Sequence, residues 1–172
     1  DRETARARTA GLDAAALTTR VVVAESGAEP VVLGHAATAS SGVAAGAVAL
    51  DEAQLAALEG QGRPAILVRQ NAETHDVALL DRVDGLLTQH GARTSHAAVV
   101  ARQLGKVCLV GCEAMRIDQA AGRIGFSDRW LDPGATVTLD GNSGTIYAGL
   151  LKTVDAVPED LLARLGRLRD GA

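Results

Sequence analysis

The chain is nearly devoid of aromatic side chains, since Phe126, Trp130 and Tyr147 are the only three among its 172 residues. A core must therefore be built from Val, Leu, Ile and Ala, whose small side chains have to pack closely. With 47% hydrophobic residues the chain is apolar enough to bury such a core, which excludes a wholly disordered protein. Its length fits one domain.

The sequence also lacks an excess of positive charge. Its 17 Lys and Arg face 21 Asp and Glu, which gives a formal net charge of −4. Single-strand nucleic-acid binders usually show a basic patch with aromatic platforms, and neither is visible here. No apolar run approaches the roughly 20 residues that span a bilayer. We therefore expect neither a nucleic-acid nor a membrane partner.

Cysteine is scarce, and a signal peptide and an initiator Met are missing. The only two cysteines are Cys108 and Cys112, and no further metal ligands cluster beside them. Sparse cysteines of this kind are typical of reduced, buried thiols in a cytoplasmic protein. Since the first residue is Asp1, we expect a fragment that belongs to a longer protein.

Nineteen glycines against four prolines indicate many tight turns between short elements. Residues 1–30 are expected as a lead-in, residues 31–152 as the domain, and residues 153–172 as a C-terminal linker helix running from Pro158 to Leu168. The Gly/Ala/Ser-rich stretch from Val31 is expected as a loop that feeds a strand. Strands mixed with helices in this order predict an α/β architecture. The predicted strands are Arg20–Ala24, Ala47–Leu50, Ala65–Arg69, Gly85–Thr88, Val107–Val110, Gly122–Gly125, Ala135–Leu139 and Thr145–Ala148, and the predicted helices are Glu52–Glu59, Glu73–Val83 and Ser95–Leu104.

The most informative segment surrounds His96. Thr94 or Ser95 can cap a helix, which places His96 in the first turn, where backbone N–H groups are unpaired and the dipole is positive. That field disfavours an imidazolium but suits a neutral imidazole that takes a phosphoryl group and then holds the anion beside free N–H groups. Arg93 adds positive charge, and Gly91 lets the backbone approach closely. A surface or capping histidine remains the alternative.

The stretch RTSHAAVVAR, followed by LGKVCLVGC, resembles the phosphohistidine signature of phosphoenolpyruvate-utilising enzymes, with the dikinase branch the most similar. LGHAATASSGVAAGAV and VTLDGNSGTIYAG resemble other parts of the same domain, so the resemblance covers roughly residues 31–152. It implies a three-layer β/β/α swivelling domain. In this family, the domain shuttles a phosphoryl group between a nucleotide-binding domain and a barrel domain for pyruvate or phosphoenolpyruvate.

The resemblance implies that His96 is the phosphoryl carrier, with Arg93, Thr94, Ser95, Gly91 and Arg69 supporting the phosphate. It implies no metal and no cofactor in this domain, whereas a full-length enzyme would use ATP and Mg²⁺. Thr94 matches a position that plant dikinases use for regulatory phosphorylation.

The chain departs from the family pattern in two places. Ala92 replaces the second glycine before the motif, and Asn71, Ala72 and Thr74 stand where the family has other residues, while Asp76 is kept. These departures motivate an alternative: a non-catalytic swivelling module with an interaction or regulatory role. The carrier domain of a phosphoenolpyruvate synthase or of a phosphotransferase-system enzyme is a further alternative.

The remaining polar candidates have ordinary structural interpretations. Arg69 pairs either with phosphate or with a helix carboxylate. We expect His75 to be a solvated helix residue, with a base near the site as the alternative. His35 and His90 are expected in loops, with His90 the nearer of the two to the site. Arg102 is expected to make a structural pairing.

Overall fold

A computed structural model describes residues 18–23 and 29–157 of the chain. Thirteen short strands, two α-helices and one 3₁₀ helix occur in this part of the chain. The strands are β1 (Thr19–Val22), β2 (Val32–His35), β3 (Ala37–Ser40), β4 (Val43–Ala49), β5 (Ala65–Arg69), β6 (Gly85–Thr88), β7 (Val107–Val110), β8 (Met115–Asp118), β9 (Arg123–Phe126), β10 (Arg129–Leu131), β11 (Thr136–Asp140), β12 (Thr145–Ala148) and β13 (Thr153–Ala156). The helices are α1 (Glu52–Gly60), the 3₁₀ helix (Thr74–Arg82) and α2 (His96–Gln103).

The central element is an eight-stranded sheet in the order β2-β12-β11-β4-β5-β6-β7-β3. Strands β4 to β7 run parallel to one another, and each is joined to the next by one of the three helices. Because helices cover one face and a second sheet covers the other, β5, β6 and β7 are buried along almost their whole length. This burial explains why their sequences are continuous apolar runs.

Two separate hydrophobic clusters show that the molecule has three layers. One cluster joins the central sheet to the helices, through Leu55 of α1, Leu80 of the 3₁₀ helix and Ala98 of α2. The other joins the opposite face to the three-stranded sheet β10-β9-β8, through Met115 and Ile124. The predicted β/β/α architecture is therefore confirmed.

The predicted strands of the central sheet are largely confirmed, but the expected loop after Val31 is wrong. That stretch contains β2, β3 and the beginning of β4, because pairing with β12, β7 and β11 stabilises Ala- and Gly-rich segments of low intrinsic strand preference. Strands β8 and β10 are absent from the prediction. The predicted helix Glu73–Val83 is a 3₁₀ helix over Thr74–Arg82, and at its N-terminus the Asp76 carboxylate accepts a hydrogen bond from the Glu73 N–H at 2.8 Å.

The chain divides into two units, Val22–Lys152 and a second formed by residues 1–21 and 153–172. In the larger unit, the Val23 N–H donates to the Lys152 carbonyl at 3.0 Å, so the two ends of this unit lie side by side. Residues 153–156, expected to begin a linker helix, form β13, which pairs with β1. The helix expected over Pro158–Leu168 lies outside the described residues.

Candidate phosphohistidine site

The segment after β6 is held at the end of the parallel strands by backbone hydrogen bonds. The N–H groups of Gln89 and His90 donate to the carbonyls of Arg69 and Gln70, each at 2.9 Å. The chain then turns at Gly91, whose φ of +122° lies in a region that favours glycine. The segment therefore starts where the parallel strands end, and the turn at Gly91 leads the chain from there to α2.

Helix α2 begins at His96 because Ser95 caps it. Ser95 has extended backbone angles, and its Oγ accepts a hydrogen bond from the Ala98 N–H at 3.3 Å. Ala97, Ala98 and Ala101 are buried, so a face of small side chains packs against the sheet. The predicted helix and its cap are confirmed, with Ser95 rather than Thr94 as the capping residue.

The first turn of α2 presents the His96 side chain to solvent and leaves two backbone donors unpaired. His96 is exposed, and the N–H groups of His96 and Ala97 find no acceptor among the described residues. The first turn carries no acidic side chain. Arg93 and Thr94 are exposed and form no ion pair or hydrogen bond with any residue that the structure describes. The arrangement can therefore receive a dianion beside an imidazole.

Arg69 is engaged elsewhere. Its Nε lies 2.7 Å from Oδ1 of Asp76, whose side chain is 1% exposed, and its Nη1 donates to the Leu50 carbonyl. Of the two predicted roles, the structure thus shows the pairing with a helix carboxylate. Arg69 also lines a groove of about 670 Å³, and none of the residues from Gly91 to His96 lines it.

The structure settles the other polar candidates. Arg102 donates to the Ala39 carbonyl at 2.8 Å, as expected of a structural residue. His75 is exposed, with Nδ1 3.4 Å from Glu73, and His90 lies in the loop after β6. The expectation of a loop for His35 is wrong, because His35 ends β2, where its Nδ1 lies 3.4 Å from Thr145 Oγ1.

Both cysteines are free and buried, as predicted. Burial raises the pKa of the Cys108 thiol to about 12 and also raises the pKa of Cys112. Neither thiol is therefore a nucleophile at neutral pH. Within residues 18–23 and 29–157, no group of three or more His, Cys, Asp or Glu side chains is arranged to hold a metal ion.

Sequence reasoning missed one residue of this region, Thr88 at the end of β6. The residue is 1% exposed, and its Oγ1 is the one buried side-chain oxygen or nitrogen without a hydrogen-bond partner in the described part of the chain. Leaving a buried hydroxyl unpaired costs about 1–3 kcal/mol. A threonine at a strand end is ordinary in a sequence, so no sequence signal could have found it.

The fold and site together define a three-layer α/β domain that presents a histidine at a helix N-terminus. Residues 61–144 match the family described as PEP-utilising enzyme, mobile domain. These residues are therefore those of a mobile domain of the PEP-utilising enzymes, as the motif around His96 predicted.

Similar proteins include pyruvate, phosphate dikinases. The chain is 37% identical over 134 residues to the Giardia intestinalis enzyme. The matched region covers 77% of this chain and 15% of that protein. It is 37% identical over 125 residues to the Clostridium symbiosum enzyme, covering 73% of this chain and 14% of that protein. The chain thus spans about one seventh of the length of these relatives.

A solved structure titled "N-terminal domain of Enzyme 1 - Nitrogen" aligns with a TM-score of 0.35 and 24% identity, covering 62% of this chain and 37% of that chain.

Among the described residues, no helix is both long and apolar enough to cross a membrane.

Proposed function

We propose that this domain is the phosphoryl carrier of a pyruvate, phosphate dikinase-like phosphotransferase, with His96 as the residue that is transiently phosphorylated. The observation that carries the proposal is the exposed imidazole of His96 in the first turn of α2, beside the unpaired N–H groups of His96 and Ala97. Identity to dikinases over nearly three quarters of the chain supports it.

The chemistry divides one difficult transfer into two easier ones. A ring nitrogen of neutral His96 bonds to the phosphorus of the donor, while the bond from phosphorus to the donor's bridging oxygen breaks and its electron pair leaves with the donor. An acceptor oxygen then attacks the same phosphorus, and the electron pair of the N–P bond returns to the ring. Between the two steps, the positive end of α2 and Arg93 stabilise the bound dianion.

The donor and the acceptor would be bound by two further domains of a longer cytoplasmic parent, a nucleotide-binding domain and a pyruvate or phosphoenolpyruvate barrel. We place ATP and Mg²⁺ there, where the metal ion would neutralise phosphate charge during transfer. Alone, the domain should hold a phosphoryl group but complete no reaction cycle. Thr94, which lies two residues before His96 and is exposed, belongs to the same proposal as a phosphate-supporting residue.

The test supplies the longer parent, or this chain with separate partner domains, with ATP labelled at the β-phosphorus and, in parallel, with labelled phosphoenolpyruvate. We expect an acid-labile, base-stable label that disappears in His96→Ala and persists in the matched control His90→Ala, since His90 is exposed in the preceding loop. Absence of label from both donors with active partner domains would overturn the proposal. The donor that labels distinguishes a dikinase or synthase from a phosphotransferase-system enzyme.

One observation favours the second candidate, a non-catalytic swivelling module. The Arg69 guanidinium at the end of β5 is engaged by Asp76 and by the Leu50 carbonyl, and the segment 71–74 beside it departs from the family pattern. This candidate predicts that wild type and His96→Ala behave alike in the labelling experiment, with no label in either.

A further inference from the structure

A buried polar group that the proposed function does not use lies at the end of β6, three residues before Gly91. Thr88 Oγ1 has no hydrogen-bond partner among the described residues, although the side chain is 1% exposed. Buried hydroxyls are almost always paired, so an unpaired hydroxyl calls for an explanation.

The position of Thr88 connects it to His96. Successive side chains of a strand point to opposite faces, so Thr88 shares the face of Leu86, which belongs to the cluster that packs against α2. Thr88 is the last residue of β6, and the segment that leads to the N-terminus of α2 follows it. The hydroxyl is therefore on the α2 side of the sheet, at the sheet edge from which that segment leaves.

Gly91 is the part of the loop that lies against this hydroxyl. A Cβ atom added at Gly91 would lie 3.6 Å from Thr88 Oγ1, and one added at Gly111 would lie 3.4 Å from the Gly91 carbonyl. The Gly91 backbone is thus held between β6 and the residue that follows β7. The N–H groups of Gly91 and of the next three residues have no acceptor among the described residues. The loop beside the Thr88 hydroxyl therefore contains unpaired donors.

We propose that Thr88 is a positioning residue for the phosphorylated form of His96, acting through the turn at Gly91. When His96 carries the dianion, the unpaired N–H groups of the first turn and Arg93 are drawn toward it. The preceding turn then tightens, and Thr88 Oγ1 accepts a hydrogen bond from the Gly91 N–H. Because this pairing is absent from the unphosphorylated structure, it stabilises the loaded state selectively.

This inference rests on the proposed function, and its test uses the 172-residue chain itself. Phosphoramidate phosphorylates histidine chemically: a ring nitrogen bonds to phosphorus, the P–N bond of the reagent breaks, and ammonia leaves. Phosphohistidine at positions 96 and 90 is followed by ³¹P nuclear magnetic resonance and assigned with His96→Ala and His90→Ala. Exposed His90 serves as an internal reference in every sample.

The variants are Thr88→Val, which replaces the hydroxyl by a methyl group, and Thr88→Ser, which keeps the hydroxyl. We expect phosphohistidine at position 96 to hydrolyse about three- to tenfold faster in Thr88→Val, and at the wild-type rate in Thr88→Ser. The rate at His90 should not change in either variant. Urea unfolding of unphosphorylated Thr88→Val should show a stability equal to or above wild type, because an unpaired buried hydroxyl has been removed.

The outcomes separate the two proposals. If Thr88→Val holds phosphate at position 96 as long as wild type does, the role of Thr88 is overturned while His96 remains the carrier. If both Thr88 variants lose phosphate faster, packing rather than the hydroxyl is responsible, and the inference is again overturned. If phosphate at His96 in wild type is no longer-lived than at His90, the site does not stabilise phosphohistidine. That result contradicts the carrier function itself.

Discussion

Gly91 takes a φ of +122°, and it lies in the loop between β6 and His96, three residues after the strand ends. Replacing it by Ala forces a side chain into a conformation that L residues rarely adopt. We expect Gly91→Ala to lower the free energy of unfolding by about 1–2 kcal/mol, measured by urea denaturation.

Gly60→Ala is the matched control for this substitution. Gly60 ends α1, its φ is not positive, and an added Cβ would meet nothing within 4 Å. Here Ala should be neutral or stabilising, because it reduces the entropy of the unfolded chain. Equal effects of the two substitutions would contradict the role assigned to the Gly91 backbone.

Ser95 contributes the cap that fixes where α2 begins. We expect Ser95→Ala to lower the free energy of unfolding by about 1 kcal/mol, because the Ala98 N–H loses its acceptor. The exposed Ser41, substituted by Ala, should change stability by less than about 0.5 kcal/mol. Ser95→Asp should retain the cap, and a variant as unstable as Ser95→Ala would argue against capping.

At the scale of elements, the Trp130 side chain covers part of the three-stranded sheet formed by β10, β9 and β8. The Trp130 ring lies over Gly125, where an added Cβ would come within 2.8 Å of a ring carbon. The guanidinium carbons of Arg116 and Arg123 lie 5.0 Å and 4.7 Å from the ring centroid. The only tryptophan of the chain is thus held by two cation–π contacts above a glycine.

A double-mutant cycle tests this arrangement. Gly125→Ala should destabilise the fold by about 1–3 kcal/mol, because the new methyl group displaces the ring. In the Trp130→Ala background the same substitution should cost much less, since the ring is gone. Urea unfolding of the four proteins gives the coupling energy, and additive effects would show that the ring does not occupy this position.

The Arg69–Asp76 pair links β5 to the 3₁₀ helix. Asp76 also accepts a hydrogen bond from the Glu73 N–H at 2.8 Å, so one carboxylate serves both the ion pair and the helix cap. Asp76→Ala should lower the free energy of unfolding by about 3–5 kcal/mol, because it leaves the guanidinium largely buried without its counter-ion.

Glu52→Gln is the control for that prediction. Glu52 pairs with Arg82 at 2.9 Å, but its side chain is 70% exposed. Solvent screens such pairs, so the substitution should change stability by less than about 1 kcal/mol. Similar losses of stability in the two variants would indicate that burial of the Arg69–Asp76 pair does not increase its contribution to the free energy of unfolding.

An element could be predicted from the sequence where local signals stabilise it, and could not be predicted where pairing with distant strands does. Helix α2 and the buried strands β5 to β7 were predictable, because a Ser cap and continuous apolar runs are local signals. Strands β2 and β3 were not, since each has only four residues, lies in a stretch rich in Ala, Gly and Ser, and is stabilised by pairing with β12 or β7. The partner of Arg69 was undecidable, because the position of Asp76 depends on the winding of the 3₁₀ helix.

At the scale of the whole molecule, the two thiols link stability to pH. Burial holds the pKa of Cys108 at about 12 and raises that of Cys112, above an unfolded value of about 8.5. The contribution of Cys108 is therefore fully present below about pH 8.5 and is lost as the pH rises toward 12, and the contribution of Cys112 begins to be lost above the same lower limit. In that window the titration of Cys108 should lower the free energy of unfolding by at most about 1.4 kcal/mol per pH unit.

Urea unfolding at pH 8 and pH 10.5 measures this dependence, and Cys108→Ala provides the comparison because it removes one titrating thiol. The variant should lose less stability between the two pH values than wild type does. Iodoacetamide at pH 8 should leave the native thiols intact and label both in urea. Rapid labelling of the native protein would contradict their burial.

The backbone contact between Val23 and Lys152 has a consequence for engineering. The strand-rich unit begins and ends at neighbouring points. Both of its junctions can therefore be placed at one site in the chain of a host protein. Residues 22–152 should therefore tolerate insertion into a surface loop of an unrelated carrier protein without stretching either junction. By the same geometry, a short peptide joining Lys152 to Val22 should yield circular permutants, with new ends opened at the exposed Asn142–Ser143 turn.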